Sequence, residues 1–174
     1  KEGFRKPGAV VIGPAGEKLV KCALINNDKW RCAGRTGVGA VMGAKHLKGI
    51  VFQGDRKREL ANPDGAAEFA KTFLKTHKET PGVEAFRAMG TTLMVAVLNT
   101  VGAFPSKYWR QGTVDHWEKI SGETYHEEHE VKPNPCAKCF IACGRRTKIS
   151  KGRHKDLKLE GPEYETIYAF GGLC

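Results

Sequence analysis

The sequence predicts an α+β fold, with a small β-rich part followed by a mainly α-helical part. Short apolar runs closed by turn residues are typical of residues 1–54, and apolar residues at helical spacing are typical of the chain from Asn62 onwards. Between them, residues 55–62 are rich in charged side chains. We therefore predict two domains, residues 1–58 and 59–174.

Three strands and one helix are predicted in the first domain. The strand candidates are the apolar runs at residues 9–12, 19–25 and 49–52. Residues 37–48 are predicted to form a short helix, because their apolar side chains recur at helical spacing and their glycines allow close packing.

The second domain begins with the clearest helix signal in the chain. Asn62-Pro63-Asp64 supplies a capping side chain, a proline whose φ suits the first helical turn, and an acid at the positive end of the helix dipole. One apolar face follows until a proline–glycine pair ends the element. Further helical segments are predicted at residues 83–89, 91–101 and 114–120, of which the second is almost wholly apolar and should be buried.

Composition and charge narrow the classes of function. With 40% apolar and 28% charged residues the chain is typical of globular proteins, and its longest apolar stretch is far shorter than the roughly 20 residues that cross a bilayer. No apolar stretch of signal-peptide length follows the basic first residues, so we expect a soluble, cytoplasmic protein. The net charge of +10 suits nucleic acid, acidic proteins or phosphate-bearing cofactors, and does not choose among them.

The most informative motif is a cluster of three cysteines. Cys136, Cys139 and Cys143 lie close together, whereas the other three cysteines are scattered. Two residues between the first pair let one turn of chain direct both sulfurs at one centre, and about one further helical turn brings the third to the same side. Metal ligation explains this spacing better than a disulfide framework does.

An iron–sulfur cluster with one remote fourth ligand is the favoured interpretation, and zinc is the alternative. Zinc sites that open with Cys-x2-Cys usually add a second ligand pair about 12 to 20 residues further on. His154 lies near that distance, and the sequence offers no second ligand beside it. Two other functions stay open on the residues alone: a basic nucleic-acid-binding module with a structural zinc, and a standalone iron–sulfur electron carrier.

A glycine-rich loop, residues 31–39, leads into the predicted helix of the first domain. Its unobstructed backbone amides and the guanidinium groups of Arg31 and Arg35 would suit a phosphate. The loop lacks the third glycine of the dinucleotide-binding fingerprint and the Gly-Lys-Ser/Thr of a P-loop. A glycine-rich turn that packs a helix closely is an equally good interpretation.

Acidic side chains precede the last apolar run of the chain. Glu163 and Glu165 follow a Gly-Pro stop, where acids in a first helical turn are ordinary partners of the helix dipole. An acid in a dry site could instead transfer protons. Residues 126–129 do not have the His-Glu-x-x-His order of a metallopeptidase, and we interpret them as a solvated helix end.

These three motifs occur together, in this order, in the aldehyde ferredoxin oxidoreductase family of tungsten-pterin enzymes, which this chain resembles from about Ala9 to its end. The stretches that carry the resemblance are residues 12–17, 34–44, 90–92, 133–144 and 161–165, with Asn99 and Gly102. The resemblance implies a large enzyme with a β-rich, pterin-binding base domain and two mainly helical domains. This chain would be an internal fragment, inactive alone, that spans the end of the base domain and most of the first helical domain. Its start without methionine and its apolar end agree with that expectation.

The resemblance also implies roles for individual residues. Three of the four ligands of a [4Fe-4S] cluster are implied to be Cys136, Cys139 and Cys143. The residues implied to contact the pterin, its phosphates and the magnesium that bridges them are Arg31, Cys32, Gly34 and Arg35. The acid implied to carry the substrate proton is Glu163, with Glu165 as the alternative.

The family's reaction is the oxidation of a small aldehyde to a carboxylic acid at a tungsten centre held by two pyranopterins, with molybdenum as the alternative metal. Electrons leave through the cluster to ferredoxin, for which the basic segment 145–158 would be a suitable surface. The family's fourth cluster cysteine comes from a distant segment, so the remainder of the same polypeptide is an implied partner. Cys174 lacks the aspartate of that segment's motif and is not assigned. A homodimer is compatible with the resemblance, and neither nucleic acid nor a membrane is an expected partner.

Overall fold

The computed structural model describes residues 7–28, 31–54 and 59–173. Contacts divide the chain into two compact units, Lys1–Ala61 and Asn62–Cys174. The division predicted between residues 58 and 59 adjoins residues 55–58, which lie outside the described residues, as does Cys174.

Within the described part of the first unit, four strands form an antiparallel sheet in the order β3-β2-β1-β4. The strands are β1 (Gly8–Val11), β2 (Ile25–Asn27), β3 (Arg31–Ala33) and β4 (Gly49–Phe52). Val10 of the central strand β1 pairs with Asn27 on one side and with Ile50 on the other. The strands predicted at residues 9–12 and 49–52 are confirmed.

The strand predicted at residues 19–25 is wrong. Leu19 adopts a left-handed conformation with φ 57°, and the Val20 N–H donates to the carbonyl of Ala15. The apolar run therefore folds back onto the short helix α1 (Pro14–Glu17) through turns, and only its last residue enters a strand.

The helix predicted within residues 37–48 is confirmed as α2 (Val38–Ala44). It packs against α1 at very short range, because a Cβ on Gly43 would lie 1.9 Å from the carbonyl oxygen of Gly16. The buried side chains of Ile12 and Met42 form part of the core of this unit.

Helices are the main regular elements of the second unit. Its α-helices are α3 (Pro63–His77), α4 (Pro81–Met89), α5 (Met94–Thr100), α6 (Gly122–Glu128) and α7 (Tyr164–Ile167). Short 3-10 helices occupy Gly90–Leu93 and Trp117–Ile120, and a π-helical turn occupies Tyr168–Gly172. No helix in the described ranges is long and apolar enough to span a bilayer.

The start of α3 follows its prediction closely. Oδ1 of Asn62 accepts a hydrogen bond from the N–H of Gly65 at 2.8 Å, which is the expected N-cap contact. The proline–glycine pair expected to end this element has a second role, since Pro81 is the first residue of α4. A proline suits that position because its missing N–H has no partner there in any helix.

The core of the second unit lies around α5 and α7. Its buried side chains are Val95, Phe104, Val114 and Tyr164. The apolar segment predicted at residues 91–101 is buried along one side only, since Val97 and Val101 are 46% and 68% exposed.

The second unit also contains strands that the sequence analysis did not predict. Within the residues that the structure describes there, β5 (Glu130–Pro133), β6 (Arg145–Lys148) and β7 (Lys158–Glu160) form a three-stranded antiparallel sheet. The buried residues of β6 are polar, Arg145 and Thr147, so no alternating apolar pattern marks this strand. The predicted α+β class is confirmed.

Candidate functional site

The three clustered cysteines lie on the connection between β5 and β6, residues 134–144, which we call the cysteine loop. The loop is closed at its base by a hydrogen bond of 2.7 Å from the N–H of Asn134 to the carbonyl of Gly144. A second bond, 3.0 Å from the N–H of Cys139 to the carbonyl of Cys136, forms the turn between the first two thiols. The helical turn predicted before Cys143 is not formed, because two strands bound this segment.

The surroundings of the thiols differ along the loop. Cys136 is exposed, whereas Cys139 and Cys143 are half-buried, and the described cysteines form no disulfide. Cys139 lines a mainly apolar hollow of about 460 Å³ that also contains the rings of Phe73 and Phe140. These two rings lie edge to face, with centroids 6.0 Å apart.

The donor chemistry of the cysteine loop fits a thiolate-bound cluster. The loop carries three thiols and no carboxylate or imidazole that would compete for iron. Among the described residues, however, no group of three or more His, Cys, Asp or Glu side chains is arranged to hold a metal ion. The fold thus collects the three thiols on one closed loop without a preformed cage.

Two arginines fasten the cysteine loop to α4. Arg87 donates from Nε and Nη2 to the carbonyl of Phe140, at 3.2 and 3.1 Å. Arg145 donates from Nη1 to the carbonyls of Ala142 and Gly144, at 2.9 and 3.0 Å. The loop is therefore held at its centre and at its end by two arginine side chains that donate hydrogen bonds to its carbonyls.

Arg145 was expected to belong to a basic surface segment, and this expectation is wrong. Its side chain is 1% exposed. Burial lowers the pKa of Arg145, and the nearby Tyr125 and Cys143 oppose that shift. Since a guanidinium stays protonated in proteins, the fold places a fixed positive charge under the cysteine loop.

The acid candidates Glu163 and Glu165 lie in different surroundings. Thr91 donates its hydroxyl to Oε2 of Glu163 at 2.5 Å, and the same hydroxyl accepts the N–H of Tyr164 at 2.9 Å. Glu163 is half-buried directly before α7, whereas Glu165 is exposed on its first turn. A single hydroxyl thus orients Glu163 and caps the helix that follows it.

The Glu163 segment is also joined to the strand that ends the cysteine loop. The N–H of Gly161 donates to the carbonyl of Arg145 at 2.9 Å, and Thr147 donates its hydroxyl to the carbonyl of Gly161 at 2.6 Å. The phenol hydroxyl of Tyr125 forms a hydrogen bond with the hydroxyl of Thr147. Burial is the main cause that raises the pKa of Tyr125. These connected hydrogen bonds therefore position both Glu163 and the cysteine loop.

The interpretation of residues 126–129 as a solvated helix end is wrong for His126. Its side chain is half-buried, and burial lowers its pKa below the usual 6.5, opposed by a hydrogen bond to the backbone of Met89. Its Nε2 is buried and meets no partner within the described part of the chain.

The glycine-rich loop of the first unit combines close packing with an open side. A Cβ on Gly37 would lie 2.1 Å from the carbonyl oxygen of Lys21, and one on Gly39 would lie 2.4 Å from that of Leu24. Nothing lies within 4 Å of a Cβ on Gly34. Close packing therefore explains the later two glycines and leaves Gly34 open to an approaching group.

The side chains next to Gly34 are accessible. Arg31 and Cys32 lie on the edge strand β3, and Arg35 follows in the turn, all three exposed. Asn26 donates to the sulfur of Cys32 at 3.4 Å. The four residues named as cofactor contacts are thus adjacent and accessible on one edge of the first unit.

Part of the predicted basic segment 145–158 is neutralised. Lys148 forms ion pairs with Glu130 at 2.9 Å and with Asp156 at 3.1 Å, and these carboxylates raise its pKa. Lys151 pairs with Glu128 at 2.8 Å.

A smaller basic area persists on the three-stranded sheet. Lys132 is the register partner of Arg146, and Lys148 that of Lys158, so these four residues share one face. Glu130 and Glu160, the other partners of Lys148 and Arg146, lie on the same face, which leaves an excess of two positive charges there. An open groove of about 320 Å³ runs over the four basic residues. We call these four residues the basic sheet face.

Sequence reasoning assigned no role to Thr91 or Arg87, and it placed Arg145 only in the basic surface segment. Each of these three residues makes hydrogen bonds to residues more than fifty positions away in the chain. Arg145 also makes local bonds within the cysteine loop, and Arg87 also donates to Lys78. The one local signal is the position of Arg145 directly after Gly144 at the end of the cysteine motif.

Comparison with known proteins identifies the family. Residues 68–174 match the family model described as aldehyde ferredoxin oxidoreductase, domains 2 and 3, and residues 1–54 match the model of its N-terminal domain. The tungsten-containing aldehyde ferredoxin oxidoreductases of Thermococcus kodakarensis and Pyrococcus furiosus are 36% and 35% identical to this chain over 173 residues. Each alignment covers 97% of this chain and 27% of the relative.

More distant relatives agree with this result. An aliphatic sulfonate oxidoreductase, WOR-like subunit, of Pyrococcus furiosus is 26% identical over 92% of this chain and 26% of its own length. The solved active-site complex BamBC of benzoyl coenzyme A reductase with 1,5-dienoyl-CoA has the same fold, with a TM-score of 0.64 and 24% identity. That match covers 97% of this chain and 27% of the solved chain. This chain, which spans about a quarter of the length of its curated relatives, belongs to the aldehyde ferredoxin oxidoreductase family.

Proposed function

We propose that this chain is part of a cytoplasmic oxidoreductase that converts aldehydes to carboxylic acids at a tungsten–bispterin centre. The reaction adds one oxygen atom from water and releases two electrons and two protons. The electrons would leave singly through a [4Fe-4S] cluster to ferredoxin. The observation that carries the proposal is the closed cysteine loop, in a chain whose curated relatives include tungsten-containing aldehyde ferredoxin oxidoreductases.

The cysteine loop would supply three of the four cluster ligands, Cys136, Cys139 and Cys143. The base of the loop is fixed by the bond between Asn134 and Gly144, so a fourth thiolate from the remainder of the polypeptide could complete the site. This chain covers about a quarter of its relatives' length, which is consistent with a ligand elsewhere and with inactivity of the chain by itself.

The edge of the first unit would hold the pterin cofactor. Open space beside Gly34 permits close approach of backbone amides, and the exposed guanidinium groups of Arg31 and Arg35 suit phosphates bridged by magnesium. Bound there, the metal centre would supply two-electron oxidation of the substrate, and the protein would supply binding and orientation. Cys32 would lie beside it.

Glu163 is the better candidate for the proton carrier. The hydroxyl of Thr91 fixes one carboxylate oxygen and leaves the other able to accept a substrate proton. Glu165, exposed on the first turn of α7, lacks an orienting contact of this kind among the described residues.

Ferredoxin would dock at the basic sheet face. Lys132, Arg146 and Lys158 are exposed there, and β6, which carries Arg146, begins directly after the cysteine loop. Acidic electron carriers are attracted to such a surface, which increases association rates and orients the encounter.

Metal analysis of the complete gene product tests the proposal. Purification without oxygen should give iron, tungsten and a broad absorption band at about 400 nm. Replacement of Cys139 by Ala should abolish the band and most of the iron. The matched control is Cys22→Ala, which removes an exposed thiol from the first unit and should leave both unchanged.

The outcome separates the three classes of function. A colourless protein that contains zinc would contradict the proposal and favour a structural zinc module. Iron without tungsten or molybdenum, and without aldehyde-dependent reduction of an acceptor, would favour a standalone electron carrier.

A further inference from the structure

Arg145 is the largest fully buried side chain among the described residues, and the functions proposed above do not use it. Its Nη1 donates to the carbonyls of Ala142 and Gly144, which lie directly before and after Cys143 in the chain. The guanidinium therefore holds the backbone of Cys143 from both sides.

The other end of the guanidinium is bound to α4. Nη2 donates to the carbonyls of Phe86 and Arg87, at 3.0 and 2.7 Å, in the last turn of that helix. Cationic groups suit helix C-termini, where carbonyls lack intrahelical partners. Arg145 thus joins a rigid element to the Cys143 end of the loop.

Arg145 has no ion-pair partner among the described residues. Its four bonded acceptors are backbone carbonyls, and Nε lacks a hydrogen-bond partner. The charge of Glu163 opposes the lowering of the Arg145 pKa, without an ion pair between the two side chains. A buried charge is normally paired, because its removal from water is costly. An anionic group bound at the cysteine loop would supply a direct countercharge.

We infer that Arg145 is a positioning residue for the iron–sulfur cluster that also raises its reduction potential, by placing a buried positive charge without an ion-pair partner beside Cys143. The inference rests on the proposed cluster. A cluster held by four thiolates is anionic, and its potential depends on net charge and on nearby hydrogen bonds. Because one added electron makes the site more negative by one charge, a fixed cation stabilises the reduced form over the oxidised form.

A structural role alone would also explain the four hydrogen bonds, so the test must separate charge from shape. Arg145→Gln removes the charge and keeps an amide donor. Arg145→Lys keeps the charge, and its single ammonium group cannot donate to the loop and to α4 in the way that the two ends of the guanidinium do. The matched control is Arg110→Gln, which removes the same charge from an exposed side chain outside the cysteine loop and the basic sheet face, where salt screens it.

The experiment is a redox titration of the cluster in the complete gene product, followed by electron paramagnetic resonance. We expect Arg145→Gln to lower the equilibrium constant for cluster reduction at least tenfold, which is 59 mV for a one-electron couple. Arg145→Lys should stay within about threefold of the wild type, and Arg110→Gln should do the same.

Each alternative result decides the question. An unchanged potential in Arg145→Gln, or a tenfold fall in Arg145→Lys, would overturn the electrostatic role while the proposed cluster stands. Loss of iron from both Arg145 variants would also overturn it, because the guanidinium would then be needed for assembly. If Arg145→Gln loses iron, Arg145→Lys decides alone. The absence of a cluster from the wild-type protein would instead overturn the proposed function.

Discussion

The hydroxyl of Thr91 donates to Oε2 of Glu163 at 2.5 Å, across a separation of 72 residues in the chain. The hydroxyl oxygen of Thr91 also accepts a hydrogen bond from the N–H of Tyr164, the first residue of α7. Thr91 therefore sets both the position of the carboxylate and the start of the helix behind it. If Glu163 carries the substrate proton, activity should depend on this pair in two separable ways.

Replacement of Glu163 by Gln tests the proton carrier itself. General acid–base catalysis typically contributes about 100- to 10,000-fold, so kcat for aldehyde oxidation should fall by at least about 100-fold. Glu165→Gln, which makes the same change on an exposed side chain, should leave kcat within about twofold. Steady-state rates with an artificial electron acceptor measure both. Equal losses in the two variants, or the larger loss in Glu165→Gln, would contradict the assignment.

Thr91→Val should impair the same step more mildly. The change removes a hydrogen bond to a charged group, worth about 1.5–3 kcal/mol, which corresponds to roughly 10- to 150-fold in kcat if all of it orients the carboxylate. Thr91→Ser keeps the hydroxyl and should retain most of the activity. A thermal melt of both variants is needed, because Val also leaves the Tyr164 N–H without its acceptor. Wild-type kcat in a folded Thr91→Val protein would show that Glu163 needs no orientation by Thr91.

The distance in sequence between bonded residues explains which features could be predicted. The Asn62 cap is made within three residues, so its signal is complete in the local sequence. The strand β6 is held by contacts of Arg145 to Phe86 and of Thr147 to Gly161, and its buried face is polar. An apolar periodicity cannot reveal such a strand, because the residues that satisfy its polar groups lie far away in the chain.

The cysteine motif also shows which features of the candidate site depend on the local sequence and which depend on distant residues. Thiol spacing predicted the proposed donor set, since three closely spaced cysteines are informative by themselves. The same spacing suggested a helical turn, whereas the loop conformation depends on the hairpin that bounds it. The contacts of Arg87 and Arg145 could not be predicted, because they join the loop to α4, more than fifty residues away in the chain.

Gly90 should be needed for close packing of the cysteine loop against the residue that follows α4. A Cβ at this position would lie 2.7 Å from the carbonyl oxygen of Cys143 and 3.0 Å from Nε of Arg145. Gly90→Ala should lower the melting temperature and the iron content, because the methyl group displaces one of these neighbours. The control is Gly102→Ala, which has the same φ of 70° and nothing within 4 Å.

Iron content separates the close contact from backbone strain better than melting temperature does. A positive φ is unfavourable for alanine in both variants, and Gly90, with φ 70° and ψ −161°, lies in a region that is almost exclusive to glycine. Only the first variant should lose iron as well. An equal effect of the two changes on melting temperature and iron would mean that the contact with the cysteine loop is unimportant.

Charge reversal should locate the ferredoxin surface. A combined Lys132→Glu and Lys158→Glu variant should raise the apparent KM for ferredoxin at low salt by about 3- to 10-fold, because electrostatic attraction governs the encounter. The effect should shrink as salt screens exposed charges. Lys119→Glu, an exposed reversal on the 3-10 helix Trp117–Ile120, is the control. Unchanged KM in the double variant at low salt would exclude the basic sheet face as the docking site.

His126 should make the stability of the second unit sensitive to acid. Burial lowers its pKa in the folded state, opposed by the Met89 backbone contact, and the positive charge of Arg145 adds to the lowering while Glu123 opposes it. The unfolded chain, with a histidine pKa of about 6.5, therefore binds the proton first as the pH falls. Stability should be unaffected above that pH and should decrease as the pH falls through about 6.5 towards the folded-state pKa.

The measurement is the free energy of unfolding in urea as a function of pH, for the wild type and for His126→Gln. Because glutamine does not titrate, the variant should lose the part of the slope that lies below about pH 6.5. It should also stay less stable than the wild type at neutral pH if the amide cannot keep the backbone contact with Met89. An identical slope in both proteins would mean that other groups cause the acid sensitivity. A steeper slope in the variant would reverse the sign argued here, because it would require His126 to be protonated more readily in the folded state.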